Sequence, residues 1–257
     1  PKLLTCRRKI CLMEYKVVGD NLQIVEITLE AGEKVYAEAG AMVYMSGNVK
    51  MQAKVKGGIL KGLKRKLAGE TLFLTEFSTS SGSGIVAFAG NAPGTIQPVE
   101  ISSAERREFI AQKDAFLCAE DGVDLDITFT KKLGAAIFGG EGFILEKFSG
   151  EGLVFLHACG DFIAKELGVG ETLRVDTGCI VGFDASVKYD IEFVGVKSAL
   201  FGGEGIFVAT LTGPGRVLLQ SMTLHNLAAA LRPFLSTGTS GADREIGFKI
   251  GGFKIDI

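Results

Sequence analysis

The 257 residues carry 28 Lys and Arg against 30 Asp and Glu, and a net charge of -2 gives no general attraction to nucleic acid or anionic lipid. Hydrophobic residues make up 47% of the chain, enough for a large core, and 35 Gly against 5 Pro suit many turns. Five Cys in no metal-like pairing read as reduced thiols of a cytoplasmic protein, and no apolar run reaches the length that spans a bilayer.

In chain order, 1–12 are basic, carry none of the later patterning and read as a leader; Arg7-Arg8-Lys9 is not followed by the apolar stretch a signal peptide needs. Met13-Glu14-Tyr15-Lys16-Val17-Val18 reads as a natural start leading into a strand. Val49, Met51, Ala53 and Val55 alternate with Lys50, Gln52, Lys54 and Lys56, the period of two expected of a strand with one wet face. Val123 to Phe129 and Val187 to Phe193 repeat that alternation. Phe143-Ile144-Leu145 and Ile206-Phe207-Val208 are apolar throughout, as in strands buried on both faces. Ser81-Gly82-Ser83-Gly84, Ser149-Gly150-Glu151-Gly152 and Thr212-Gly213-Pro214-Gly215 separate apolar runs and read as hairpin turns. Ser102-Ser103-Ala104-Glu105 has the form of a capping box, yet Glu108 to Phe116 align with the strand-like Lys34 to Met42, so strand is preferred there. Helical spacing is found at Thr223 to Leu231, where Leu224, Leu227, Ala228 and Leu231 recur before Pro233. Beyond it, 236–257 comprises a small-residue linker and a tail in which Phe248 to Ile255 alternate weakly, as an edge strand or a contact for a neighbouring subunit.

A pentapeptide orders these elements. Phe-Gly-Gly-Glu-Gly stands at Phe138 to Gly142 and again at Phe201 to Gly205, 63 residues on, with a degenerate Ala68-Gly69-Glu70 upstream. Gly152 and Val154 fall on Gly215 and Val217 at the same shift, and Met42, Val49 and Met51 fall on Phe116, Val123 and Leu125 at a shift of 74. The expected fold is all-β, an internally repeated β-sandwich or β-helical array over 13–235 with at most one or two short helices. Its three pseudo-repeats run roughly over 36–105, 110–172 and 173–235.

Few residues suggest chemistry. His157 and His225 lie in different units, too few for a His-based metal centre, and His157 is most simply a strand residue. Ser83 lies in a turn rather than a Gly-x-Ser-x-Gly elbow. Glu70, Glu141 and Glu204 are placed equivalently; they could do acid–base work near a pseudo-threefold axis, but threefold equivalence favours a turn-capping role. The glycines around them lack the spacing and trailing Lys-Ser/Thr of a phosphate loop. The most individual stretch is Lys54 to Leu67, where Lys61, Leu63, Lys64, Arg65 and Lys66 mix basic and apolar character. That mixture suits self-association first, a membrane surface second and nucleic acid third.

Gly40-Ala41-Met42, Gly57 to Arg65, Ala68-Gly69-Glu70-Thr71-Leu72-Phe73-Leu74, Ala92-Pro93-Gly94-Thr95-Ile96 and the two pentapeptides together resemble the family named for altered inheritance of mitochondria, number twenty-four, from Met13 to about Leu235. The resemblance implies a fold like that of the tryptophan RNA-binding attenuation protein, often as a homotrimer, in prokaryotic proteins of unassigned function. Eukaryotic relatives associate with the mitochondrial inner membrane. No catalytic residue, cofactor, metal or small-molecule ligand is implied. The reading is a non-enzymatic scaffold or interaction protein, a cytoplasmic homo-oligomer peripheral at the inner face of a membrane. RNA binding by fold analogy, or a hydrolase or isomerase using Glu141, Glu204 or His157, are the alternatives.

Overall fold

The computed structural model describes residues 13–54, 74–131, 143–194, 206–234, 247–250 and 253–256. The Phe-Gly-Gly-Glu-Gly copies, Glu70, Glu141, Glu204, most of the Lys54 to Leu67 stretch and the linker at 236–242 lie outside the described residues, as do 1–12.

Strands dominate. The first set is β1 (Glu14–Val18), β2 (Ile24–Leu29), β3 (Lys34–Glu38), β4 (Met42–Met45), β5 (Val49–Lys54), β6 (Leu74–Thr79) and β7 (Gly84–Ala89). Then come β8 (Gly94–Ser102), β9 (Phe109–Gln112), β10 (Phe116–Glu120), β11 (Val123–Lys131) and β12 (Phe143–Cys159). The last set is β13 (Phe162–Leu167), β14 (Thr172–Asp176), β15 (Ile180–Asp184), β16 (Lys188–Val194), β17 (Ile206–Thr212) and β18 (Gly215–Gln220), closed by α1 (Leu224–Leu231). The tail forms its own hairpin, β19 (Gly247–Ile250) against β20 (Phe253–Asp256). The all-β expectation holds, and Glu108 to Phe116 runs as β9 and a short 3-10 turn into β10, as the alignment over the capping box required. Helix α1 starts where its spacing placed it, with the Thr223 hydroxyl accepting from the Asn226 amide at 3.0 Å.

One antiparallel pairing scheme recurs. The outer pairs are β2–β7, β8–β12 and β13–β18, and beside them lie β4–β7, β10–β12 and β15–β18. The inner pairs are β3–β6–β5, β9–β12–β11 and β14–β17–β16. Successive sets join where β10 pairs with β3 and β15 with β9. The resulting series begins with β1-β2-β7-β4 and ends with β14-β17-β16, and between them β12 contributes to two larger runs, β5-β6-β3-β10-β12-β8 and β11-β12-β9-β15-β18-β13.

The glycine segments read as hairpin turns do a different job. β6 and β7, or β17 and β18, do not pair with one another but run in different sheets, and Ser149 to Gly152 lies inside the 17-residue strand β12. Gly150 and Gly152 take φ of 100° and 137°, the region L side chains avoid, and they let one strand leave its first set of partners for a second.

Three apolar cores lie along the series. The first gathers Val25, Ile27 and Leu29 of β2 with Phe77, Phe88, Leu117 and Phe155. The central one holds Ile101, Phe109, Phe116, Phe148 and Leu156, with the Phe116 and Phe148 ring centroids 5.4 Å apart. The third holds Phe143, Val175, Phe183, Ile191, Leu211 and Val217. Burying each such side chain stabilises by about 1.5–3 kcal/mol. Two expectations fail at the ends of the series. Met51 is exposed on β5 where its register equivalent Leu125 is buried in the central core, and Phe207 and Val208 are only half-buried whereas Phe143 to Leu145 are fully buried. β17 lies in a three-stranded terminal sheet, so it lacks the neighbours that enclose β12.

Candidate interaction surface

His157 sits on β12 with its ring against Gly90 and Gly94, and its Nε2 donates to the Ala92 carbonyl at 3.1 Å. Burial pushes the imidazole pKa below its ordinary value, against that hydrogen bond. The partner is a main-chain carbonyl, neither a carboxylate to orient the ring nor a hydroxyl to activate. His157 is a core residue holding the β12 end to the segment before β8, the structural role its position on a strand suggested. His225 is half-buried on α1. Ser83 is exposed and its carbonyl accepts from Asn48 Nδ2 at 3.1 Å, a turn contact.

Glu146, which the sequence does not single out, is fully buried on β12. Burial and then the Glu146 carboxylate raise the pKa of the Tyr36 phenol, which donates to the Val123 carbonyl at 3.0 Å. A shallow cleft includes Glu100, Arg107, Asp184 and Arg216 in its lining. Part of its charge is paired: Arg107 meets Glu100 at 3.1 Å and Glu105, and Arg216 approaches Asp184 at 3.7 Å while its guanidinium lies 5.5 Å from the Phe109 ring centroid. Among the described residues no three His, Cys, Asp or Glu side chains are grouped to hold a metal ion.

The apolar surface is more informative. β4 and β7 expose Val43, Tyr44, Met45 and Ile85 at one end of the sheet series. Val43 is the extra residue of a bulge between Met42 and Tyr44; the same register break recurs at Leu117 in β10 and Val181 in β15. Val43 is 51% exposed, while Leu117 and Val181 are 2% and 0%. Ile85, beside Val86, occupies the position that Leu153 holds beside Val154; Ile85 is 40% exposed and Leu153 5%. Sequence patterning could not flag these residues, because their counterparts are ordinary core. The segment with Lys61, Leu63, Lys64, Arg65 and Lys66, between β5 and β6 in the sequence, lies outside the described residues.

Residues 15–222 match the family model described as Mitochondrial biogenesis AIM24. The chain belongs to this family. An uncharacterised protein of Streptococcus pyogenes serotype M6 is 31% identical over 227 residues, covering 84% of this chain and 88% of that one. The crystal structure of a Streptococcus pyogenes protein from a structural genomics programme superposes with a TM-score of 0.71 at 27% identity, covering 87% of this chain and 100% of the other. Family membership bears out the resemblance read from the Gly-rich motifs. No helix of this AIM24 family member, among the described residues, is long and apolar enough to cross a membrane.

Proposed function

We propose that this AIM24 family member is a non-enzymatic scaffold that works as a homo-oligomer. The observation that carries the reading is the exposed set Val43, Tyr44 and Ile85, because the equivalent positions Leu117 and Leu153 in the next strand set are buried. An apolar edge strand left open in a monomer invites unwanted pairing, and covering it is the simplest use of it. A trimer is the assembly that the family resemblance suggests. The basic and apolar loop Lys61, Leu63, Lys64, Arg65 and Lys66 adds a second contact, peripheral to the inner face of a membrane. An enzymatic reading through His157 gains no support from its carbonyl partner. RNA binding is the weaker reading: base stacking needs exposed aromatic rings, and among the described residues the exposed ones are Tyr44 and Phe234 while most Phe are buried.

Sedimentation at micromolar concentration tests the first part, and a single-chain mass throughout would overturn it. Flotation with anionic vesicles tests the second. The intact chain is expected to float, and a variant with Lys61, Lys64, Arg65 and Lys66 each replaced by Glu is expected to stay behind. Equal behaviour of the two removes the membrane contact.

A further inference from the structure

The two ends of the sheet series are complementary halves of one junction. Inside the chain that junction is made twice, β10 against β3 and β15 against β9, always antiparallel. Cys118 faces Ala37, Ala119 faces Tyr36 and Glu120 faces Val35; in the second case Gly182 faces Ala111, Phe183 faces Ile110 and Asp184 faces Phe109. β4 is the counterpart of β10 and β15, as the shared bulge and the shared pairing to β7, β12 and β18 establish. β14 is the counterpart of β3 and β9, because it pairs with β17 as they pair with β6 and β12. Yet among the described residues β4 pairs on one side only, with β7, and β14 on one side only, with β17.

We infer that β14 of one copy of this chain pairs antiparallel with β4 of a second copy, joining the terminal sheets head to tail. The inference rests on the self-association proposed above and names its surface. Carrying the two internal registers across sets Tyr44 opposite Val175, Met45 opposite Arg174 and Ser46 opposite Leu173. The new sheet, β16-β17-β14 continued by β4-β7-β2, has the strand order of the two internal ones. Burial agrees. Leu117 and Leu153 are covered because a preceding strand set packs on them, whereas among the described residues no such set stands before Val43 and Ile85. Across the junction they would meet the third core, which contains Val175 and Leu211. Arg174 replaces the Tyr36 and Ile110 of the internal junctions, and its methylene stem suits contact with Met45 while its head stays wet. The two edges differ, so the contact is heterologous and propagates until its rotation closes a ring.

Paired antiparallel residues sit about 4.5–5.5 Å apart between Cα atoms, within reach of a disulfide. Met45→Cys and Arg174→Cys are combined in a chain whose Cys6, Cys11 and Cys179 are replaced by Ser, and mild oxidation is followed on a denaturing, non-reducing gel. The expected result is a series of multimers from the double variant and single chains from either variant alone. In parallel, Val43→Asp, at a side chain exposed in the single chain, is expected to sediment as one chain with an unchanged circular dichroism spectrum. Dimers from Met45→Cys alone would place β4 against β4 and overturn the head-to-tail contact. A cross-link at the mass of one chain would place both edges in the same molecule and also overturn it. An oligomer that survives Val43→Asp and does not cross-link would sink this junction while leaving self-association standing; a wild-type monomer would sink both.

Discussion

At the residue scale, His157 carries the clearest pH signature. Burial holds the folded imidazole neutral at pH values where the unfolded chain, with a pKa of about 6.5, takes up a proton. The unfolded state therefore binds more protons between the lowered folded pKa and about pH 6.5, so stability falls as the pH drops through that window, by at most about 1.4 kcal/mol per pH unit from this group. Urea midpoints at pH 7.5 and pH 5 are expected to differ less in His157→Gln than in the wild type, and equal differences would refute a buried neutral ring. Gly94 gives a second test. A Cβ there would collide with the Ala158 carbonyl and crowd the His157 ring at 2.8 Å from Nε2. The carbonyl belongs to the β8–β12 ladder and cannot swing away, so Gly94→Ala should destabilise by about 1–3 kcal/mol in a denaturant titration.

At the element scale, equivalent strands differ by what covers them. Met51 and Leu125 face Phe77 and Phe148 at matching register positions, but Leu125 is in the central core and Met51 is exposed. Leu125→Ala is expected to cost about 2–5 kcal/mol, and Met51→Ala less than about 0.5 kcal/mol, by chemical denaturation. Their alternation was legible because the period of two is local. Their different burial was not, since it depends on which strands pack above them. The glycine segments show the same limit: composition marks a bend, but only partners further along the chain decide whether it closes a hairpin or moves a strand between sheets. Helix α1 was fully legible, because Thr223, the Leu spacing and Pro233 act within about three turns.

At the scale of the whole molecule, an open junction predicts linkage between assembly and stability. If only the folded chain associates, its melting temperature should rise with protein concentration. Calorimetry over a hundredfold concentration range is expected to show that rise for the wild type and a flat response for Val43→Asp. A flat wild-type response would argue for a monomer.

The sequence by itself determined the strand-rich fold, the family, the alternating strands and α1, because patterning, capping and glycine placement act between near neighbours. It marked His157 as structural and the loop containing Lys61 to Lys66 as distinctive. Only the tertiary structure decided that β12 serves two runs of strands, that His157 bonds a carbonyl, and that Val43, Tyr44 and Ile85 face outward. The physical reason is that exposure belongs to position in the series. The same kind of apolar side chain is core at Leu117 and surface at Val43, according to whether another strand set stands beside it.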